Sequence, residues 1–193
     1  MSRKEPYPQD ELNPRGIKKL SKDEIAVILR GAEQLTGSAG RTLLARLLKG
    51  EPDRELTKRG LDQNPVFGIY EHLGTDDILA RIDRVILDGY LEIDYRGRQA
   101  RLTYTPKGLQ LEKETYAIEL LDDLDQMLEA SHPPYDMNFL VDQDRDLVLS
   151  LLDKVKGSKD SKYIPLLEDW AAVDNRKVRL HIQEVIDALR QAG

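Results

Sequence analysis

The stretch YLEIDYRGRQARLTYTPKG, from Tyr90 to Gly108, decides the fold of this chain. Two runs of alternating apolar and polar residues flank Gly97-Arg98, and a two-residue loop with glycine first is typical of a tight β-hairpin. This loop pairs Leu91 with Tyr104 at the far end of the hairpin. We predict this register because a slip of one residue would mix the two faces. The register places these residues on one face: Leu91, Ile93, Tyr95, Ala100, Leu102 and Tyr104.

Helical patterns precede the hairpin. Ser21 and Glu24 form a capping box, which predicts a helix that continues to about Leu35. Leucines at helical spacing follow as far as Gly50, and a short helix comes after them. Thr75 is the predicted cap of the next helix, whose apolar stripe consists of Ile78, Leu79, Ile82, Val85 and Ile86.

The order of elements predicts a winged helix. Three helices followed by a β-hairpin wing define that fold, and this chain adds one helix on each side of it, the second opening at Thr105-Pro106. We therefore predict a mainly α fold with a small β-hairpin. The expected divisions are a flexible N-terminal arm (residues 1–20), a winged-helix domain with a long C-terminal helix (21–130) and a helical extension (131–193).

Composition narrows the class of protein. The chain has 193 residues, a formal net charge of −6 and no cysteine, which excludes disulfides and thiolate metal sites. No apolar run approaches the roughly 20 residues that span a bilayer. The N-terminus lacks the apolar stretch of a secretory signal, so we expect a cytoplasmic protein with no membrane partner.

The charge is unevenly distributed along the chain. Residues 1–117 carry 20 Lys+Arg against 19 Asp+Glu, a net +1, while residues 118–193 carry 9 against 16, a net −7. Binding responds to local charge, so the acidic total does not exclude a front half that binds phosphate.

Several motifs occur together in the first 117 residues. They are ILRGAEQLTGSAGRTLLARLLKG, LTKRGLDQNPVFGIYEHLG, VILDGYLEI and LTYTPKG. In order and spacing, the region from residue 21 to residue 117 resembles the RQC domain, the winged helix that follows the helicase core of RecQ helicases. The resemblance implies a DNA-binding module.

This chain also departs from the RecQ pattern. It has no phosphate-binding glycine loop with lysine and no four-cysteine zinc subdomain. The resemblance therefore implies a stand-alone, non-enzymatic RQC-like protein without a cofactor, serving DNA repair or replication. Eukaryotic RecQ relatives wedge an aromatic residue at the wing tip between base pairs. Here Tyr95 is predicted to face the core, so we do not expect strand separation.

The wing tip supplies the first candidate DNA contacts. Arg96 and Arg98 flank the turn, where guanidinium groups can pair with phosphates or enter a minor groove. Arg101 is a weaker candidate, because Asp94 lies opposite it in the predicted register and offers a cross-strand partner.

Further basic residues precede and follow the wing. Arg54 and Lys58 lie one helical turn apart. The last helix before the hairpin, in the position of a recognition helix, mixes arginines with aspartates that would repel phosphate, so we predict wing-led binding with little base readout. The additional candidates are Arg59, Arg41, Lys107, Arg81 and Arg84.

Other polar clusters predict no chemistry. Asp142, Asp144 and Asp146 have the spacing that starts a calcium loop, but Leu147 replaces its glycine, and a negative helix N-terminus explains them better. The three histidines are far apart in sequence, and no serine has a nucleophile context. We expect neither a metal site nor catalysis.

The C-terminal part has three helical stretches, and residues 164–189 resemble a HEAT repeat. One such unit must pack on neighbouring helices or on a partner. Trp170 is predicted to be core. The acidic charge suggests a protein contact, such as a helicase or another repair protein. Two alternatives to a DNA-binding role in repair remain, a protein–protein adaptor and a sequence-specific transcription regulator.

Overall fold

The first helix begins as its capping box predicts. The Ser21 hydroxyl accepts a hydrogen bond from the Glu24 amide (3.1 Å), and the Glu24 carboxylate accepts one from the Ser21 amide (2.9 Å). Two backbone donors that a helix start leaves without partners are thereby satisfied. Helix α1 spans Lys22–Ala32 and continues as a 3₁₀ turn over Glu33–Leu35.

The computed structural model describes residues 12–96 and 99–192, and only the backbone at Arg96. Over these residues the fold is mainly α with one antiparallel hairpin, which confirms the predicted winged helix and helical extension. The remaining elements are α2 (Arg41–Lys49), α3 (Arg54–Lys58), α4 (Thr75–Leu87), β1 (Leu91–Arg96), β2 (Gln99–Tyr104), α5 (Pro106–Ala130), α6 (Asn138–Val141), α7 (Arg145–Ser158), α8 (Ile164–Val173) and α9 (Arg176–Ala192).

The hairpin has the predicted register, with Leu91 opposite Tyr104 and Asp94 opposite Arg101. Leu91 and Leu102 are buried in the core of the N-terminal unit. The segment before α2 extends the hairpin, because the amide of Leu102 donates to the carbonyl of Ala39 (2.9 Å).

Tyr95 does not face the core as predicted. It is on the same side of the hairpin as Leu91 and Leu102, but its side chain is 36% exposed, and its cross-strand neighbour Ala100 is exposed as well. Alternation along a strand therefore indicates the face on which a residue lies but not how deeply it is buried.

Two glycines allow the loop before α4 to approach the end of α2. Gly50 ends α2 with φ at +74°, a left-handed conformation that glycine adopts without steric cost. A Cβ atom on Gly50 would lie 2.8 Å from the Cα atom of Gly68. The amide of Gly68 donates to the carbonyl of Leu47 (3.0 Å), so the LLKG and VFG motifs form a single contact.

The predicted domain limits stay a prediction, and the packing of the described residues divides the chain at another place. The described part of the predicted arm, residues 12–20, belongs to the N-terminal unit: Leu20 is only 4% exposed, and the amide of Asn13 bonds Asp83. The chain divides between Glu112 and Lys113, inside α5, rather than at residue 130. Helix-breaking residues in the sequence mark where helices end, whereas the limits of a domain depend on which side chains pack together.

The cap of α4 also differs from the prediction. Gly74 is the N-cap residue, and the Thr75 hydroxyl instead donates to the carboxylate of Glu51 (3.4 Å). Threonine is a common N-cap residue, so the sequence predicted the start of the helix one position too late.

The C-terminal unit, residues 113–193, has its own core, formed by α5 from Lys113 onward and by α6–α9. Trp170 is fully buried, as predicted, and its indole N–H donates to the carboxylate of Asp174 (2.7 Å). Asp174-Asn175 joins α8 to α9. The HEAT-like character of this unit stays a prediction. No helix among the described residues is both long and apolar enough to cross a membrane.

Asp144 caps α7, as expected of an acid at a helix start. Its carboxylate accepts from the amide of Asp146 (3.0 Å) and lies 2.6 Å from the Lys113 ammonium nitrogen. The bond from Lys113, aided by the backbone amides, holds the pKa of Asp144 below its ordinary value of 3.8. Burial opposes this shift but is outweighed.

We expect the Asp144→Asn variant to show a pH-dependent loss of stability. Because the folded-state pKa of Asp144 is depressed, its stabilisation is present above pH 3.8 and is lost as the pH falls through the folded pKa. The variant should therefore unfold at lower urea than the wild type at pH 7, and the difference should shrink below pH 3.8. Trp170 fluorescence measures both midpoints. A gap that is independent of pH would contradict this account.

Candidate nucleic-acid interface

A polar cleft of about 390 Å³ lies among the wing, the start of α2 and helix α3 in the N-terminal unit. Gly40, the N-cap of α2, allows the elements to approach closely, since a Cβ atom there would lie 2.8 Å from the carbonyl oxygen of Ala100 on β2. Three arginines line this cleft: Arg46, Arg59 and Arg101. We call it the arginine cleft.

Arg59 was predicted as a contact, and its guanidinium group is held at the cleft by two bonds. One nitrogen donates to the Glu55 carboxylate (2.7 Å) and the other to the Ser38 hydroxyl (3.1 Å). The side chains of Arg59 and Glu55 are 35% and 52% exposed, so water screens this ion pair and it contributes at most about 1 kcal/mol. A phosphate can replace such a weakly held carboxylate.

Arg101 lines the same cleft from β2, but it does not use the partner predicted from the register. Its guanidinium donates to the carbonyl of Gly37 (2.9 Å) and to the amide oxygen of Gln99 (2.7 Å) rather than to Asp94. The loop before α2 lies beside β2 and supplies the closer acceptor. Both acceptors are uncharged, so they leave the positive charge of Arg101 unneutralised.

Arg46 was missed by sequence reasoning. It lies on α2 four residues after the exposed Thr42, so both side chains reach the cleft from one helical face. Its guanidinium lies 2.8 Å from the Asp53 carboxylate, which caps α3. The amide of Glu55, helped by Arg46, lowers the pKa of Asp53. The missed signal was a polar face between the leucines of α2.

Arg54 and Lys58 lie one turn apart on α3, and both are exposed. Among the described residues, neither has an ion pair. Their side chains are therefore open to a ligand, and their role as DNA contacts stays a prediction.

Four other predicted contacts bond to groups of the protein itself. Arg41 lies 2.6 Å from the buried carboxylate of Asp83, and Arg81 lies 3.5 Å from Glu24. Arg84 donates to Asp88 (3.0 Å). Lys107 donates to the carbonyl of Asp88 (2.8 Å) and lies 3.8 Å from the centroid of the Tyr90 ring.

These bonds explain why a helix in the recognition position carries arginines without forming a basic surface. The Asp88 carboxylate has a lowered pKa because Arg84 bonds to it. Both groups are thus charged, and their charges cancel locally.

The wing tip is only partly described. Arg98 lies outside the described residues, and so does the side chain of Arg96. Their predicted role in binding phosphate stays a prediction. The described strands pair as far as Arg96 and Gln99, beyond Arg101.

A comparison with known protein families identifies the domain to which these residues belong. The sequence profile of the RQC domain matches residues 21–127, more than half of the chain. Comparisons with curated proteins and with solved structures gave no significant match. The RQC domain is a RecQ-like winged-helix module that binds nucleic acid, and both the described helices and the wing fit it. The chain therefore belongs to the RQC domain family.

Proposed function

We propose that this protein is a non-enzymatic DNA-binding protein that grips the DNA backbone, or the backbone of a branched DNA, with its wing and the adjoining arginine cleft. It serves DNA repair or replication and needs no cofactor. Membership of a nucleic-acid-binding family supports the ligand class. The arrangement of cations supports the mode of binding.

The arginine cleft is the observation that carries this proposal. Arg46, Arg59 and Arg101 come from three different elements and converge on one cavity. Guanidinium groups match phosphate with two parallel N–H donors, and such charge-assisted hydrogen bonds are stronger than neutral ones. Strand β2 links this cleft to the wing tip, where Arg98 continues the row of cations in the sequence.

The acidic neighbours of the cleft set the expected affinity. Glu55 and Asp53 each bond one of its arginines, so a phosphate has to compete with a carboxylate. Binding of the DNA backbone against such competition is electrostatic, so we expect a moderate affinity that falls as the salt concentration rises. It also carries no base sequence information.

Replacing Arg96 and Arg98 by alanine tests the wing. The double variant should bind duplex DNA more weakly, and the slope of log K against log salt concentration should fall by about 2 units if each arginine contacts one phosphate. Fluorescence anisotropy with labelled duplex, forked and single-stranded DNA at two salt concentrations measures this.

The same titration separates the alternatives. Absence of binding by the wild-type protein at low salt would favour the adaptor, and preference for one base sequence over forks would favour a transcription regulator. A double variant that binds as tightly as the wild type would remove the wing from the interface.

A contact with a repair protein or helicase is a second candidate role, for the C-terminal unit. Its residues carry 10 Lys+Arg against 17 Asp+Glu, a net −7, and Leu180 on α9 and Val173 on α8 are 60% and 43% exposed. Exposed apolar side chains in an acidic surface suit a partner with a basic and apolar surface. This role is compatible with DNA binding by the N-terminal unit.

A further inference from the structure

A serine hydroxyl lies among the cations of the arginine cleft. Ser38 lines this cleft together with Arg46, Arg59 and Arg101. It belongs to the five-residue loop, residues 36–40, that joins the 3₁₀ turn to α2, and it is exposed. Because surface loops are the most accessible and adaptable parts of a fold, this hydroxyl is open to a modifying enzyme.

The hydroxyl of Ser38 can be modified without leaving a buried group unpaired. Its Oγ atom donates to the carbonyl of Leu35 (3.0 Å) and accepts from the guanidinium of Arg59 (3.1 Å). The Leu35 carbonyl also accepts from the amides of Ser38 (3.0 Å) and Ala39 (2.9 Å). This carbonyl therefore keeps its partners when the hydroxyl proton is lost, so the loop tolerates an ester at this oxygen.

A phosphate group on Ser38 would lie beside two guanidinium groups. Arg59 already bonds the oxygen that would carry the phosphorus atom. Arg101 donates to the carbonyl of Gly37, the residue directly before Ser38 (2.9 Å). The present partners are the exposed carboxylate of Glu55 for Arg59 and uncharged oxygens for Arg101. Phosphoserine has three strong acceptor oxygens and about two negative charges, so it competes well with these partners.

The start of helix α2 favours an anion at the same place. Its N-cap residue is Gly40, which makes no side-chain cap, so the first amides of the helix keep their partial positive charge. Ser38 precedes Gly40 by two residues, and both line the cleft. The helix thus adds to the attraction that the arginines exert on a phosphate.

We propose that Ser38 is a phosphorylation site and that its phosphate occupies the arginine cleft, so that the phosphorylated protein binds DNA weakly. This inference rests on the proposed DNA-binding function and adds its regulation. A protein kinase transfers the γ-phosphoryl group of a nucleoside triphosphate to Ser38. The bond from Oγ to phosphorus forms, the bond to the bridging oxygen of the β-phosphate breaks, and the hydroxyl proton passes to the kinase. Hydrolysis of the ester by a phosphatase restores the hydroxyl and the open cleft.

The effect on DNA binding follows from the charge of the cleft. Its three arginines and the two carboxylates that bond them, Glu55 and Asp53, give a sum of +1. A phosphoserine at pH 7 changes this sum to about −1. The cleft then repels the phosphates of DNA instead of attracting them.

Phosphoserine inserted at position 38 by suppression of a stop codon tests this effect. The matched control is the same preparation after phosphatase treatment, which differs only in the phosphate group. In anisotropy titrations we expect the phosphorylated form to bind duplex DNA about tenfold more weakly or worse, because the cleft has lost its positive charge. Equal affinities of the two forms would overturn the inference.

A second position separates the cleft from the total charge. Ser161 is an exposed serine of the C-terminal unit, and phosphoserine there adds the same charge to the protein. This form should bind DNA within about twofold of its dephosphorylated control, because salt screens a charge far from the interface. Equal losses at positions 38 and 161 would overturn the inference.

Phosphorus NMR locates the phosphate in the absence of DNA. An exposed phosphoserine has a second pKa of about 6, and neighbouring guanidinium groups lower this pKa because they favour the dianion. We expect a lowered pKa at position 38 and an ordinary one at position 161. Replacing Arg59 and Arg101 by alanine should raise the pKa at position 38 again. Ordinary values at both positions would overturn the inference.

Mass spectrometry of the protein from the cells that make it tests whether the modification occurs. Phosphopeptides should include Ser38 in growing cells or after DNA damage, and absence of phosphate from Ser38 in both samples would overturn the inference. Failure of the unphosphorylated protein to bind any DNA would instead overturn the proposed function, and the regulation of DNA binding with it. The phosphorus titration would still decide whether the phosphate occupies the cleft.

Discussion

Replacing Arg59 and Arg101 together by alanine should weaken duplex DNA binding by about a hundredfold, at roughly 1.5 kcal/mol for each charge-assisted hydrogen bond that is lost. Both guanidinium groups line one cleft, although Arg59 directly follows α3 and Arg101 lies on β2, so the double substitution removes a cation from two sides of the cleft. The salt slope should fall by about 2 units if each arginine contacts one phosphate. Anisotropy titrations over a range of salt concentrations give both quantities.

The matched control removes two lysines from the C-terminal unit. Lys156 and Lys177 are both exposed, and their replacement by alanine changes the net charge of the protein by the same amount. If binding depends on the cleft, this control should retain wild-type affinity within about twofold. Equal losses in both double variants would mean that only total charge matters.

Folding has to be checked in the cleft variant, because Arg101 also bonds the carbonyl of Gly37. Loss of that hydrogen bond should cost about 1 kcal/mol. A urea midpoint close to that of the wild type confirms that weaker binding reflects the lost cations. Unchanged DNA affinity and salt slope in a folded variant would contradict the proposed interface.

The Gly108→Ala substitution should destabilise the N-terminal unit by about 3 kcal/mol or more, beyond the usual cost of overpacking. Gly108 lies in the first turn of α5, and a Cβ atom there would overlap the carbonyl oxygen of Tyr90. That oxygen already accepts a bond from the amide of Thr105 (3.1 Å), so it cannot move without loss. The glycine of the TPKG motif thus allows α5 to start against the wing.

Gly157→Ala is the control for this substitution. Gly157 lies in α7, and nothing is within 4 Å of the Cβ position. Alanine there should stabilise the helix by about 0.5 kcal/mol, because it restricts the unfolded chain. Urea unfolding followed by circular dichroism compares the two variants, and a Gly108→Ala protein as stable as the wild type would show that α5 does not approach Tyr90 so closely.

Local sequence patterns determined the secondary structure of this chain. The capping box at Ser21, the leucines that end at Gly50 and the turn between Arg96 and Gln99 each act within a few residues, so helix α1, helix α2 and the hairpin register agree with prediction. The family motifs have the same local character, since they combine such caps and turns in a fixed order. Arg54 and Lys58 lie one turn apart in α3 as predicted, because that spacing needs only the period of a helix.

Only the tertiary structure decided which cations share a surface. Arg101 bonds Gly37, a residue 64 positions away, and Asn13 bonds Asp83 across 70 positions. Sequence periodicity has no information at such separations. It therefore predicted Asp94 as the partner of Arg101 and missed Arg46. The physical reason is that helices and turns follow from neighbouring residues, whereas a binding surface depends on how those elements pack.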